Sequence, residues 1–290
     1  MKWSYSQFKS FACPRRYYLE RVEKIPVPRA ANLVCGSTLH EGLAAIFKGE
    51  DPIKAFRQAC LREKLDQAQW KGSTRWAARQ NQATWEAYAP GVLASYRAHY
   101  GPRLDKPKIW REHPYVERKG EIDLPDGDKL VVIMDLVTED GIIIDHKGVG
   151  RLPDRDSHER YRLDLQLKLY AWAYHKKFGE LPRGTQYDFV VLTKLPQFDR
   201  SPVYPITMAD IEMAHEDIEQ IVRTIYWHHE TGIWPRNRSC CLDFNELCPF
   251  YAHCFGVPKP QEDALAPLFP EDEVSPAIAQ TSGGPHGTAG

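Results

Sequence analysis

Two consecutive apolar runs, each with an aspartate near its end, constrain this chain more than any other feature. The first is Lys129-Leu-Val-Val-Ile-Met-Asp-Leu-Val137 and the second is Gly141-Ile-Ile-Ile-Asp-His-Lys-Gly148. Both are rich in β-branched residues, and Glu139-Asp140-Gly141 between them is a turn signal, so they read as neighbouring antiparallel strands. Asp135 and Asp145 then sit inside apolar strands, where a lone carboxylate is costly unless something compensates it. At period two, Asp145 and Lys147 share a face. A strand-end Asp–Lys salt bridge is the plain reading of such a pair. A divalent cation is the other, because Mg²⁺ or Mn²⁺ takes hard oxygen ligands from one or two carboxylates. A metal beside a positioned ammonium is also what phosphodiester hydrolysis requires.

The flanking pattern is mixed. Residues 4–22 start a helical segment that Ser4 or Ser6 could cap. Gly36 to Glu50 reads as a helix ending near Gly49, and helical spacing runs from Ile53 to about Trp70 and from about Thr74 to Tyr100. Lys108 to Leu124 alternates in places like a strand, with Pro125-Asp-Gly-Asp128 as a turn. After a polar loop over Gly148–Arg162, Leu163 to Gly179 has helical spacing. Tyr187 to Leu195 reads as a strand and Thr207 to Gly232 as a long helix with acidic first turns. The expected fold is α/β, a mixed central sheet flanked by helices, with an N-terminal helical part and a C-terminal Cys-rich segment. Length allows one large domain or two small ones, at roughly 150 residues per domain. The reading taken is one domain over 1–256, then a linker and disordered tail over 257–290, rich in Pro, Gly and Ser.

The net charge of -1 and pI near 6.8 do not point to nucleic acid, though a local basic groove would be compatible with both. Arg15, Arg16, Arg151, Arg155, Arg160 and Arg162, interleaved with Tyr17, Tyr18 and Tyr161, could follow a single strand. A solvated charged loop is an equal reading, since Asp154, Asp156 and Glu159 are mixed in. No uncharged apolar stretch of membrane-spanning length occurs. The first residues lack a secretory apolar region, so a cytoplasmic location is expected, in a bacterial or phage-infected cell. Seven cysteines without an export signal make a disulfide framework unexpected. Four of them, Cys240, Cys241, Cys248 and Cys254, crowd one short stretch, and soft thiolates there suit Fe–S or Zn. Cys35 and Cys60 read as packing residues.

Taken together, the motifs resemble the PD-(D/E)XK nuclease superfamily, in its RecB-like exonuclease branch. The resemblance rests on Gly36-Ser-Thr-Leu-His40, then Asp135, then Asp145-His146-Lys147, then Gln166-Leu-Lys-Leu-Tyr170, in that order over roughly Ser4 to Gly256. Met134 stands where the family's name has proline. The resemblance implies a DNA nuclease, with His40, Asp135 and Asp145 as Mg²⁺ or Mn²⁺ ligands and the backbone carbonyl of His146 as another. Lys147 would be the catalytic lysine, and Gln166 and Tyr170 would brace the site or touch DNA. Glu112 is a further acid that could approach it. A subset of the branch holds a 4Fe–4S cluster, which here would fall on Cys13, Cys241, Cys248 and Cys254, with Cys240 competing for the place of Cys241. A structural Zn²⁺ on the same thiolates is the alternative. The implied partners are DNA with a single-stranded end and a recombination or replication protein, in recombination, repair or phage DNA processing. No Gly-x-x-x-x-Gly-Lys-(Ser/Thr) helicase motif occurs, which suits a stand-alone nuclease or a separate subunit. A non-catalytic DNA-binding module of the same fold and a Zn-stabilised interaction protein are the rival readings.

Overall fold

The computed structural model describes residues 1–27, 30–69, 82–243 and 246–256. The tail expected to be disordered, and the stretch from Trp70 to Asn81, lie outside them. The elements run β1 (Lys2–Ser4), α1 (Tyr5–Phe11), α2 (Pro14–Tyr17), a π-helical turn over Tyr18–Val22, α3 (Ala31–Lys48), α4 (Pro52–Gln69) and α5 (Gln82–Tyr100). Then come β2 (Ile109–Trp110), β3 (His113–Pro114), β4 (Val116–Asp123), β5 (Lys129–Val137), β6 (Ile142–Val149), α6 (Arg155–Leu163) and α7 (Leu165–Phe178). The rest is β7 (Gly184–Val191), β8 (Phe198–Arg200), α8 (Met208–Thr231), β9 (Leu242–Asp243), β10 (Glu246–Leu247) and α9 (Tyr251–Phe255). The chain falls into two units, Met1–Phe250 and Tyr251–Gly290. Of the second, only α9 and Gly256 are described.

The expected mixed α/β architecture is present. A six-stranded sheet runs β1-β5-β6-β7-β8, with β4 also paired to β5. The β5–β6 pair is antiparallel, as the turn between the two apolar runs requires, whereas β6–β7 is parallel and is bridged by α6 and α7. Each face of the sheet carries its own core. On one, Leu130, Val132, Met134, Ile143, Tyr187 and Phe189 pack with residues of α7 and α8. On the other, Leu136, Ile144 and Val190 pack with α3, α4 and α5. Gly42 is where α3 meets α5. A Cβ there would lie 2.6 Å from a Leu93 methyl, so any larger residue would force the Leu93 side chain to shift.

The order of pairing along β5 prepares the site. Its edge facing β1 is paired over Lys129–Val131, and the same edge meets β6 only at Leu136 and Val137. The opposite edge is held by β4 from Lys129 to Met134 and again at Leu136. Asp135 therefore lies in the fork where β1 has ended and β6 has not yet joined. The core faces also change there: Met134 belongs to the α7 side and Leu136 to the α3 side.

Some elements differ from expectation. The polar stretch expected to be a loop forms α6, started by Asp154, whose carboxylate accepts from Ser157 N at 2.8 Å. Its polar residues on all sides leave no hydrophobic period to read. The segment expected to be helical from Ser4 begins with β1. Ser4 does precede the helix, but its hydroxyl bonds Ser6 and Gln7 side chains rather than a backbone N–H. Helix α3 starts earlier than Gly36 and ends as expected at Gly49, which is left-handed with φ 72°.

One buried carboxylate ties β1 to the rest. Asp128 accepts from Trp3 Nε1 at 2.6 Å and from Tyr226 OH at 2.8 Å, linking β1, β5 and α8. Burial alone would raise its pKa, but the Met1 amino group, Trp3 and Tyr226 together hold it below the usual carboxylate value. Such a group stabilises the fold above the unfolded-state pKa of about 4, and that contribution is lost as pH falls through the folded value. Asp128→Ala strands the buried Trp3 Nε1–H and is expected to cost about 2 kcal/mol at pH 7. Urea unfolding should show the gap between wild type and variant shrinking at pH 3. An equal gap at both pH values would contradict the assignment.

Candidate active site

The site forms around the fork in β5. His40, from the middle of α3, places Nδ1 3.4 Å from Asp135 Oδ2 and 3.6 Å from Glu117 Oε1. These three ligand atoms all lie within 4.8 Å of one another, the one such trio among the described residues. Glu117 reaches it by an unusual route. It lies inside β4 with φ +51°, in the left-handed region that a non-glycine residue adopts only at a cost of order 1–3 kcal/mol. Val116 pairs with Leu136 and Arg118 with Met134, yet no pairing joins Glu117 to Asp135 between them. The strain at Glu117 thus coincides with the place where β5 changes face.

Asp135 is 6% exposed, and Oδ2 accepts the backbone N–H of His146 at 2.8 Å. Burial opposes its ionisation, but His40 and His146 outweigh this and hold its carboxyl well below the usual range. His40 shows the reciprocal effect. Burial pulls its pKa down, and the Asp135 and Glu117 carboxylates push it well above an ordinary histidine.

Asp145 and Lys147 lie on β6 and, as period two requires, on one face. Lys147 Nζ is 2.7 Å from Asp145 Oδ2 and donates to Gln166 Oε1 at 2.8 Å. Gln166 Nε2 in turn donates to Tyr170 OH at 2.7 Å, across one turn of α7. The start of α7 is fixed by Asp164, which accepts from Gln166 N and from Tyr5 OH, so the chain's first helix also steadies the site. Asp145 is 1% exposed. Its pKa is raised, first by burial and then by Asp135, against the pull of Lys147. Although the ammonium is close, its angle falls outside hydrogen-bond range, so buried Oδ2 has no donor in line. Lys147 itself stays protonated: burial lowers its pKa, but Asp145 more than restores it. A permanently charged lysine can donate a hydrogen bond or offset negative charge; it cannot serve as a general base.

The intervening His146 points to the other face. Its Nε2 lies 3.7 Å from Asp188 Oδ2, and Asp188 accepts from Tyr96 OH at 2.5 Å and Tyr100 OH at 2.7 Å. Arg200 joins Asp188 to Asp105. This buried network pins the strand whose amide holds Asp135.

The structure thus brings together His40, Asp135, Asp145, Lys147, Gln166 and Tyr170. It adds Glu117, which the sequence did not single out. Glu112, considered instead, is exposed at the β2–β3 turn and is not in the trio. The arginines and tyrosines marked for DNA divide. Tyr17 is buried and stacks on Trp234, and Arg162 pairs with Glu159. Arg15 lies over the Tyr18 ring, and Arg151 is exposed. Tyr161 is half-buried against Tyr187 and Phe189, next to Lys147. Among the cysteines, Cys13 is buried and its Sγ accepts from Asn237 N at 3.3 Å. Cys248 N donates to Cys241 O at 2.9 Å, while Cys240 Sγ faces Ala12 O. Cys254 lies on α9, in the second unit. Cys35 and Cys60 are buried in the α3–α5 core as expected, with burial pushing their thiols up to about 12 and about 11.

No helix among the described residues is long and apolar enough to cross a membrane. A structure from Eubacterium rectale, described as a candidate exonuclease, aligns with TM-score 0.56 at 17% identity, covering 92% of this chain and 94% of that one. The structure of SSO0001 aligns at TM-score 0.26 and 14% identity over 64% of this chain and 82% of that one, a likeness too low to argue from. No curated protein is significantly similar to the chain. The sequence profile of the PD-(D/E)XK nuclease superfamily matches residues 2–255, nearly the whole described length, and the chain belongs to that superfamily.

Proposed function

We propose that this protein is a Mg²⁺- or Mn²⁺-dependent DNA exonuclease of the RecB-like branch. The observation that carries the reading is the trio of His40, Glu117 and Asp135 beside the ion pair of buried Asp145 and half-buried Lys147. The donor set suits a hard divalent cation: two or three carboxylates and an imidazole. Asp145 Oδ2, buried and charge-paired with the Lys147 ammonium at 2.7 Å, supplies a further hard oxygen ligand. His40, Glu117, Asp135 and Asp145 would hold the ion, with the His146 carbonyl as a further ligand. When bound, the ion supplies Lewis-acid activation of water and of the phosphate. Lys147, kept charged by Asp145 and aimed by Gln166, donates to the attacking water or to the phosphate oxygen on which charge develops. Tyr170 orients Gln166. Arg15, Arg16, Arg151 and Tyr161 would contact the strand.

The functional domain is taken as residues 1–256. Cys13, Cys241, Cys248 and Cys254 are assigned to a 4Fe–4S cluster, with structural Zn²⁺ as the alternative. The role assigned is DNA processing in recombination, repair or phage replication, alongside a partner protein of that machinery, in the cytoplasm. The exonuclease assignment rests on the motif order around His40 and Gln166.

End-labelled single- and double-stranded DNA, incubated with Mn²⁺, should be digested to short products from an end. Internal nicking of closed circular DNA would replace the exonuclease reading with an endonuclease one. Intact DNA under all metals would leave only a binding module. Anaerobically prepared protein should be brown and absorb near ~400 nm. A colourless preparation carrying Zn²⁺ would overturn the Fe–S assignment alone.

A further inference from the structure

Basic side chains around the sheet are mostly paired with acids: Lys147 with Asp145, Arg200 with Asp188 and Asp105, Arg183 with Asp140. Arg111, Arg118 and Lys177 are not. Arg111 lies 5.9 Å from the Trp110 ring centroid. Lys177 Nζ lies 5.7 Å from that ring and 4.9 Å from Tyr115. Arg118 donates only to the carbonyl of Pro114, at 3.2 Å. Among the described residues, none of the three has a carboxylate within ion-pair distance. Lys177 registers the crowding: burial first, then Arg111 and Arg118, hold its ammonium below the ordinary lysine value. A chain of net charge -1 has acids enough to neutralise three cations, and here it places none against them. Glu112, the acid of the hairpin turn, forms no ion pair with them.

The cations surround an apolar edge. Trp110 is 36% exposed and is held edge-on by Phe178 at 4.9 Å, and Ile109 beside it is 61% exposed. The hairpin that carries them turns tightly through Arg111 and Glu112, both left-handed at φ 48° and 67°. This edge leads to the metal trio. Arg118 directly follows Glu117, and both line an open cleft of about 330 Å³ together with Lys48, His113 and Glu50.

We propose that the β2–β3 hairpin and the adjoining face of α7 form a landing site for one DNA strand, with phosphates on Arg111, Arg118 and Lys177 and a base against Trp110, and that this site feeds the strand to Glu117. The proposal rests on the nuclease reading and adds a surface outside the Arg15, Arg16, Arg151 and Tyr161 set. Cations without acidic partners, set beside an exposed aromatic ring, are what single-strand binding uses.

The test is binding, read separately from cleavage. The anisotropy of a fluorescent single-stranded oligonucleotide, in EDTA and between 50 and 200 mM salt, gives affinity and salt slope, each cation–phosphate contact contributing about 0.7 to the slope. Trp110→Ala should weaken binding about tenfold. The double variant Arg111→Ala/Lys177→Ala should weaken it and lower the slope by about 1.4. Arg111→Ala alone leaves the packing around Phe178 intact and should lower the slope by about 0.7. If all variants bind with the wild-type affinity and slope while the wild type digests DNA, the landing site is wrong and the nuclease reading stands. A wild type that neither binds nor digests DNA rejects both.

Discussion

Lys147→Ala is expected to lower DNA cleavage by roughly a thousandfold while DNA binding in Ca²⁺ persists. One preorganised donor at a developing charge is worth about 10²–10³ in rate, and Lys147 is the ammonium that bridges Asp145 and Gln166. A second expected effect separates chemistry from folding. Asp145 is 1% exposed, and without Lys147 it would be a buried, unpaired carboxylate. Breaking such a pair costs about 3–5 kcal/mol when the remaining charge stays ionised. Its raised pKa offers a partial escape through protonation, so the loss should be smaller at pH 5 than at pH 8. Asp145→Asn/Lys147→Met removes both charges at similar volume and should recover most of the stability and none of the activity. Single-turnover digestion and urea unfolding read the two effects. A Lys147→Ala enzyme within threefold of wild type would remove lysine from the mechanism.

The sequence made part of this site readable because its chemistry conflicts with its surroundings. A carboxylate inside Val-Val-Ile-Met-Asp-Leu-Val, or inside Ile-Ile-Ile-Asp, needs a reason, and the reason is the fork. His40, Gln166 and Tyr170 carry no such conflict. Their place followed from motif order, and the structure brings them to the same fork. Glu117 gave no signal. It is one acid in a run of mixed charges, and its inward turn depends on a left-handed backbone that no glycine marks. The short strands β1 and β8, three residues each, are too brief to show a period. Yet the end of β1 exposes the edge of β5 at Asp135, so one of the least legible elements helps to open the site.

Metal affinity should depend most on Asp135, less on Glu117, and rise with pH. Mn²⁺ at a hundred times its dissociation constant stabilises a protein by about 2.7 kcal/mol, or roughly 5–10 °C in a chain of this size. Asp135→Asn should abolish that shift, since Asp135 meets both His40 and the His146 amide. Glu117→Gln should reduce it, and should also show whether the strained backbone is retained for the ligand's sake. The pH dependence follows from the same contacts. In the metal-free protein, His40 has a raised pKa, so its stabilising charge is complete below about 6.5 and lost as pH rises through the folded value. Asp135 is depressed, so its contribution is present above about 4 and lost as pH falls through the folded value. The pair therefore supports the empty site at intermediate pH, and the proton on His40 competes with the ion. Calorimetric titration with Mn²⁺ should give tighter binding at pH 8 than at pH 6, with no more protons passed to the buffer at pH 8 than at pH 6, because the ion must displace the proton that Asp135 helps hold. Affinity that is flat across this range in the wild type, or unchanged in Asp135→Asn, would place the ion elsewhere.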